Sequence, residues 1–156
     1  MTNSDSASLN DIGYMQGALA EARAAAVHGE VPIGCVIVLG NRIVARAGNR
    51  TIGNCDPTAH AEIVALRAAA KELANYRLNG ATAYVTVEPC AMCAGAMIQA
   101  RIARLVYGCD DPKGGAVHTC FDILSHPALN HRVEVLGGVL AEECAGLLQN
   151  FFAARR

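Results

Sequence analysis

The sequence predicts a single α/β domain in three layers, with a central five-stranded mixed sheet between helices. Short β-branched runs alternate with longer stretches whose apolar residues recur at helical spacing. Only Gly40-Asn41 separates the first two runs, so they form an antiparallel hairpin, whereas helical stretches between later runs permit parallel crossovers. At 156 residues and 53% hydrophobic, the chain suffices for one core, and wholesale disorder is excluded.

The elements follow in order. Asn10 or Asp11 caps a first helix, in which Ile12, Met15, Leu19, Ala22 and Ala26 recur to about His28. Val31 to Leu39 is a buried strand and Arg42 to Ala47 its returning partner. A loop from Gly48 to Thr58 carries Asn49, Gly53, Asn54 and Pro57. His60 to Leu73 is helical, Ala81 to Val87 a third strand, Ala91 to Ala100 a short helix and Ile102 to Tyr107 a fourth strand. A polar, glycine-rich loop runs from Gly108 to Gly115. Ala116 to Leu124 reads as a short helix, Arg132 to Leu136 as a fifth strand and Ala141 to Ala154 as the last helix. Residues 1–10 read as a flexible terminus ahead of one domain over residues 11–156.

Composition narrows the functional classes. Trp is absent and aromatics are 4%, which disfavours a surface built on stacking platforms. The net charge of −1 announces neither a global basic field for nucleic acid nor an acidic tail. No apolar run is long enough to span a bilayer. Seven cysteines without a secretory signal imply a reducing, cytoplasmic setting, where closely spaced thiols serve metal or redox chemistry more often than disulfides.

The strongest chemical signal is Pro89-Cys90-Ala91-Met92-Cys93. Two thiolates three apart on a first helical turn share one face and can hold Zn²⁺. A redox pair or two buried thiols would satisfy the same spacing. His60-Ala61-Glu62 adds a third ligand type and leaves a fourth position for water, the arrangement of catalytic zinc. Asp56-Pro57-Thr58 and Pro89 are helix-start signals, so both ligand sets fall at helix N-termini, where the dipole favours negative charge. Residues two apart on a regular helix point about 200° apart. His60 must therefore occupy the irregular entry to its helix, with Glu62 reaching back.

These segments resemble the zinc deaminases, whose signature pairs such a His-x-Glu with Pro-Cys-x-x-Cys. Val31-Pro32-Ile33-Gly34, Asp56 to Glu62, Asn75-Tyr76-Arg77-Leu78, Glu88 to Met97, Leu129 to Glu134 and Phe151-Phe152 are similar to the bacterial tRNA-specific adenosine deaminases, and the likeness runs from Asp11 to Arg156. It implies a cytidine deaminase-like fold and one Zn²⁺ on His60, Cys90 and Cys93. It also implies Glu62 as a proton shuttle and hydrolytic conversion of adenosine to inosine at the wobble position of a tRNA anticodon.

By the same resemblance Asn49 and the backbone at Ala91 meet the target base, and Asp111, Lys113, His126, Asn130, Phe151 and Arg155 meet the RNA. Lys113, Arg155 and Arg156 would supply local phosphate contacts. The partners implied are an anticodon stem-loop and a second copy of the chain that helps form each site. Taken singly, these residues also suit blander roles: Asn49 as a turn residue, Asp111 and Lys113 in a solvated loop, Phe151 in packing. The sequence departs from the family's habit at Cys109-Asp110 and His118-Thr119. A deaminase of free guanine or cytosine would use the same metal chemistry, and the near-neutral charge suits it. A structural zinc subunit leaves Glu62 without a purpose, and a redox protein leaves both His60 and Glu62 without one.

Overall fold

The computed structural model describes residues 7–155. Helix α1 spans Leu9–Val27, strands β1 and β2 Gly34–Leu39 and Arg42–Gly48, helix α2 Ala61–Leu73, strand β3 Thr82–Val87 and helix α3 Ala91–Gln99. Strands β4 and β5 span Arg104–Cys109 and Glu134–Leu136, and helix α4 spans Ala141–Ala153. The sheet order is β2-β1-β3-β4-β5. The β1 strand pairs antiparallel with β2 and β3, while β3, β4 and β5 run parallel, so the expected mixed sheet of five strands is present.

Alternation along the strands builds two cores, because successive side chains leave opposite faces of a sheet. Cys35, Ile37, Val85 and Leu105 pack with Ala61, Ala65 and Met97 beneath α2 and α3. Val36, Tyr84 and Val106 pack with Met15, Leu19 and Cys144 beneath α1 and α4. Small residues set the spacing: a Cβ at Gly34 would stand 1.9 Å from the Ala18 carbonyl oxygen, so α1 lies directly on the β1 backbone. No helix among the described residues is long and apolar enough to cross a membrane.

Several boundaries differ from the sequence expectation. The first helix is capped by Ser8 instead of Asn10 or Asp11. The Ser8 hydroxyl accepts from the Asp11 amide at 3.0 Å, and the Ser8 amide donates back to Asp11 at 3.1 Å, a reciprocal capping box. Leu9 and Asn10 are thus helical, while residues 1–6 of the expected flexible terminus lie outside the described residues. Strand β1 starts at Gly34, because Val31 to Ile33 form a tight turn closed by the Ile33 amide on the Val31 carbonyl. Strand β5 is shorter than expected; the Arg132 guanidinium instead gathers the carbonyls of Ser125, His126 and Pro127.

The expected helix over Ala116 to Leu124 is absent. The amides of Val117, His118 and Thr119 donate to the Glu88 carboxylate, so they are not free to build a helical ladder.

Asp11 joins the first helix to the sheet. Its carboxylate accepts Arg104 Nη1 at 2.8 Å, Arg104 Nη2 at 3.0 Å and the Tyr84 hydroxyl at 2.7 Å. The Arg104 bonds are the largest influence and, despite burial, hold the Asp11 pKa well below its ordinary 3.8. The folded state keeps this charge at pH values where the unfolded chain takes up a proton. Its stabilisation is therefore complete above about pH 3.8 and declines as pH falls below it. Asp11→Asn is expected to lose about 3 kcal/mol at pH 7 by leaving Arg104 unpaired. In urea melts across pH, the gap between the two proteins should narrow below pH 3.8.

Candidate active site

The β2 strand delivers Asn49, and a loop held at both ends then leads to His60. The Asn49 amide donates to the Ile33 carbonyl, and the Arg50 amide donates to Ala59. Between them the buried Glu30 carboxylate accepts the amides of Ile52 and Gly53 at 3.0 and 2.8 Å. Burial works to raise the Glu30 pKa, but these amides and the Thr51 hydroxyl outweigh it and lower it.

His60 is the N-cap of α2, with extended backbone at φ −66° and ψ 154°. That conformation satisfies the geometric requirement of the sequence. His60 stands before the first helical turn, and Glu62 lies inside it. Cys90 is likewise the extended N-cap of α3, reached directly from β3 through Glu88-Pro89, and Cys93 follows one turn on.

His60 Nδ1 lies 3.6 Å from Cys90 Sγ and 3.5 Å from Cys93 Sγ, and all three donor atoms fall within 4.8 Å of one another. A tetrahedral zinc with ordinary bonds of about 2.3 Å to sulfur and 2.0–2.1 Å to nitrogen separates its sulfur and nitrogen ligands by about 3.5 Å. Both nitrogen–sulfur separations therefore match that geometry. The thiols are electronically unequal. The hydrogen bond from Cys93 draws the Cys90 thiol down to about 5, assisted by the Cys93 and Met92 amides and by His60. Cys93 is pushed up by that same bond, by burial and by Glu62. A divalent cation held by His60, Cys90 and Cys93 would take the place of the proton between the two thiols.

Glu62 is 4% exposed, and its carboxyl lies beside the Cys93 thiol but outside the three-donor cluster. Burial raises its pKa, against the pull of its own backbone amide. Asn49 is 7% exposed, and its side-chain oxygen accepts the Ala61 amide at 3.0 Å, which caps α2 and fixes the side chain beside His60. Ala91, at the exposed start of α3, lies next to Cys90.

Three of the six expected RNA residues share one hollow. Asp111, Lys113 and Arg155 line a space of 670 Å³ together with Val31, Ile33 and Phe152. Of the two adjacent phenylalanines, Phe152 lines this space. Phe151 instead lies under the Arg155 guanidinium, 3.5 Å from its ring centre. His126 and Asn130 are elsewhere, in an exposed loop that reaches the other end of β4, where His131 Nε2 contacts the Ile102 carbonyl at 2.7 Å. Arg156 lies outside the described residues.

The two departures from the family's habit meet each other: His118 Nε2 contacts Asp110 at 2.8 Å and its ring stacks on Tyr107. Glu88, to which no sequence motif assigns a role, is 2% exposed, and its carboxylate is bonded to the loop after β4. A carboxylate between an apolar strand and a proline was its only local signal. Burial would raise its pKa, yet the His118 amide, the Thr119 hydroxyl and the Asp111 amide hold it at about 2.

The class is that of a deaminase: residues 9–156 match the MafB19-like deaminases. A tRNA-specific adenosine deaminase of Agrobacterium fabrum is 50% identical over 92% of this chain and 94% of its own length. That of Bacillus subtilis is 47% identical over 92% and 89%. A solved structure from work on A-to-I editing by tRNA:A34 deaminases superposes with a TM-score of 0.85 at 50% identity, covering 87% of this chain and 99% of that one. The chain belongs to this deaminase family, among its tRNA-specific adenosine deaminases. A guanine deaminase of Nitrosomonas europaea shares the fold, with a TM-score of 0.75 at 22% identity.

Removing either sulfur ligand should strip the metal. Cys90→Ala and Cys93→Ala are expected to retain only a small fraction of the zinc of the parent protein by elemental analysis. Glu62→Gln should keep one zinc per chain while turnover falls by about 10²–10⁴-fold.

Proposed function

We propose that the chain hydrolyses the 6-amino group of adenosine at the wobble position of a tRNA anticodon, releasing ammonia and leaving inosine. The observation that carries this reading is the placement of Glu62 beside, but not among, three donors spaced for a tetrahedral ion. Zinc bound by His60, Cys90 and Cys93 supplies Lewis acidity that brings the pKa of water toward neutrality. Glu62 then accepts a proton from the attacking water and passes it to the purine N1. As the carbon–nitrogen bond breaks, Glu62 carries the remaining hydroxyl proton to the departing amine, so one carboxyl acts as base and then acid. Asn49, its oxygen held by Ala61, is left with its amide nitrogen to donate to the base.

An adenosine inside a loop reaches such a buried carboxyl by leaving its stack, and neighbouring nucleotides then contact the surface around the mouth. Asp111, Lys113, Phe152 and Arg155 around the 670 Å³ hollow suit that contact. His126 and Asn130 lie away from it, which favours a homodimer in which they serve the partner's RNA. The apolar hollow between α2 and α3, lined by Ile63, Leu66, Ala70, Tyr76 and Leu78, supplies a face for the second copy. The seven free cysteines suit the reducing cytoplasm, where such a tRNA is found.

Purified protein should convert an anticodon stem-loop and leave free adenine, guanine and cytosine nearly unchanged. Efficient turnover of free guanine or cytosine, with none on the stem-loop, would assign the chain to small-molecule deamination instead. Stem-loop affinity should fall with salt along a shallow slope, as few phosphates are contacted. Arg155→Ala should weaken binding at 50 mM salt by roughly threefold to tenfold with zinc unchanged, as measured by titration.

A further inference from the structure

The Glu88 carboxylate is the internal template of the loop that follows β4. Oε1 accepts the Asp111 amide at 3.1 Å and the Thr119 hydroxyl. Oε2 accepts the amides of Val117, His118 and Thr119 at 3.1, 2.9 and 3.0 Å. The fit is close: a Cβ at Gly115 would stand 2.3 Å from Glu88 Oε1. The Ala116 amide adds a bond to the Pro89 carbonyl at 2.8 Å. Both ends of the segment Asp111 to Thr119 are thus tied to a single side chain two residues before Cys90.

Glu88 has no cationic partner in any ion pair among the described residues. Asp110 and His118 also come near it, but that trio is not arranged for a cation. Both Glu88 oxygens already face N–H and O–H donors, which would oppose a positive ion.

The shape so imposed carries side chains to the hollow beside Phe152 and Arg155. The Asp111 carboxylate turns inward to accept the Lys113 and Gly114 amides at 3.0 and 3.2 Å, and Asp111 and Lys113 then stand with Phe152 and Arg155 around the 670 Å³ space. We propose that Glu88 is a positioning residue for RNA recognition, fixing Asp111 and Lys113 relative to the metal-binding helix start. This role rests on the tRNA reading of the site.

Substitution separates this role from general support of the fold. In Glu88→Gln the amide oxygen can keep the three donors on the Oε2 side, and the Thr119 hydroxyl can turn to accept. The Asp111 amide then faces an N–H group and loses its partner. With the zinc-loaded full chain and an anticodon stem-loop, KM should rise about tenfold, kcat should stay within about threefold, and zinc content should not change. Hydrogen exchange at Asp111 in the free protein should accelerate by about tenfold or more.

A folded Glu88→Gln protein with unchanged KM and unchanged exchange would overturn the proposal. So would a fall in kcat with zinc loss at constant KM, which would assign Glu88 to the metal site. If Glu88→Gln fails to fold, Thr119→Val carries the test: KM should rise about threefold and return with Thr119→Ser, and an unchanged KM overturns the role. A wild-type protein inactive on the stem-loop overturns the functional reading, and this role with it. An active wild type with an indifferent Glu88→Gln overturns the role alone.

Discussion

Two helix entrances must meet, and the rest of the molecule holds them together. His60 and Cys90 are both residues in extended conformation immediately before a helix. There a side chain leaves the helix axis at an angle that no interior position offers. The sheet makes this meeting possible. The β2 strand ends beside Asn49, β3 runs into Glu88-Pro89-Cys90, and β1 lies between the two strands. The amide ends of α2 and α3 converge on the same point, so two helix dipoles favour negative charge there. Cys90 shows the effect, since amides of the α3 turn help to lower its thiol.

The carboxylates show how the molecule keeps that point in register. Asp11, Glu30, Glu62 and Glu88 are buried, and each has a distinct task. Asp11 ties α1 to Arg104 at the start of β4, Glu30 shapes the loop leading to His60, and Glu88 shapes the loop following β4. Glu62 alone lies beside the cluster of His60, Cys90 and Cys93, where the proposed chemistry needs a carboxyl. This arrangement also bears on the charge of −1, which taken as a sum argues against an RNA partner. Asp11 is answered by a guanidinium, and Glu30 and Glu88 by backbone amides, so three acidic groups are compensated inside the fold. Lys113 and Arg155 meanwhile share the rim of one hollow.

The cluster of His60, Cys90 and Cys93 was legible in the sequence because its signal is local. Residue types known to bind zinc lie within a few positions of proline and aspartate start signals, and both are properties of short segments. The sheet was legible for a similar reason, since Gly40-Asn41 and the lengths between strands constrain pairing. Glu88 was not legible because its partners lie 23 to 31 residues downstream, and nothing in its neighbours announces them. The same bonds explain the misread segment after Gly115, whose apolar spacing allowed a helix while its amides were already committed. Phe151 and Phe152 are adjacent, but a helix rotates about 100° between them, so one ring lines the hollow and the other packs under Arg155.

X-ray absorption at the zinc edge of the purified protein reads the ligand set without relying on activity. Zinc on His60, Cys90 and Cys93 should show two sulfur atoms at about 2.3 Å and lighter nitrogen or oxygen ligands at about 2.0–2.1 Å, with four ligands in all. A shell of four sulfurs, or one of nitrogen and oxygen alone, would contradict a site built from His60, Cys90 and Cys93.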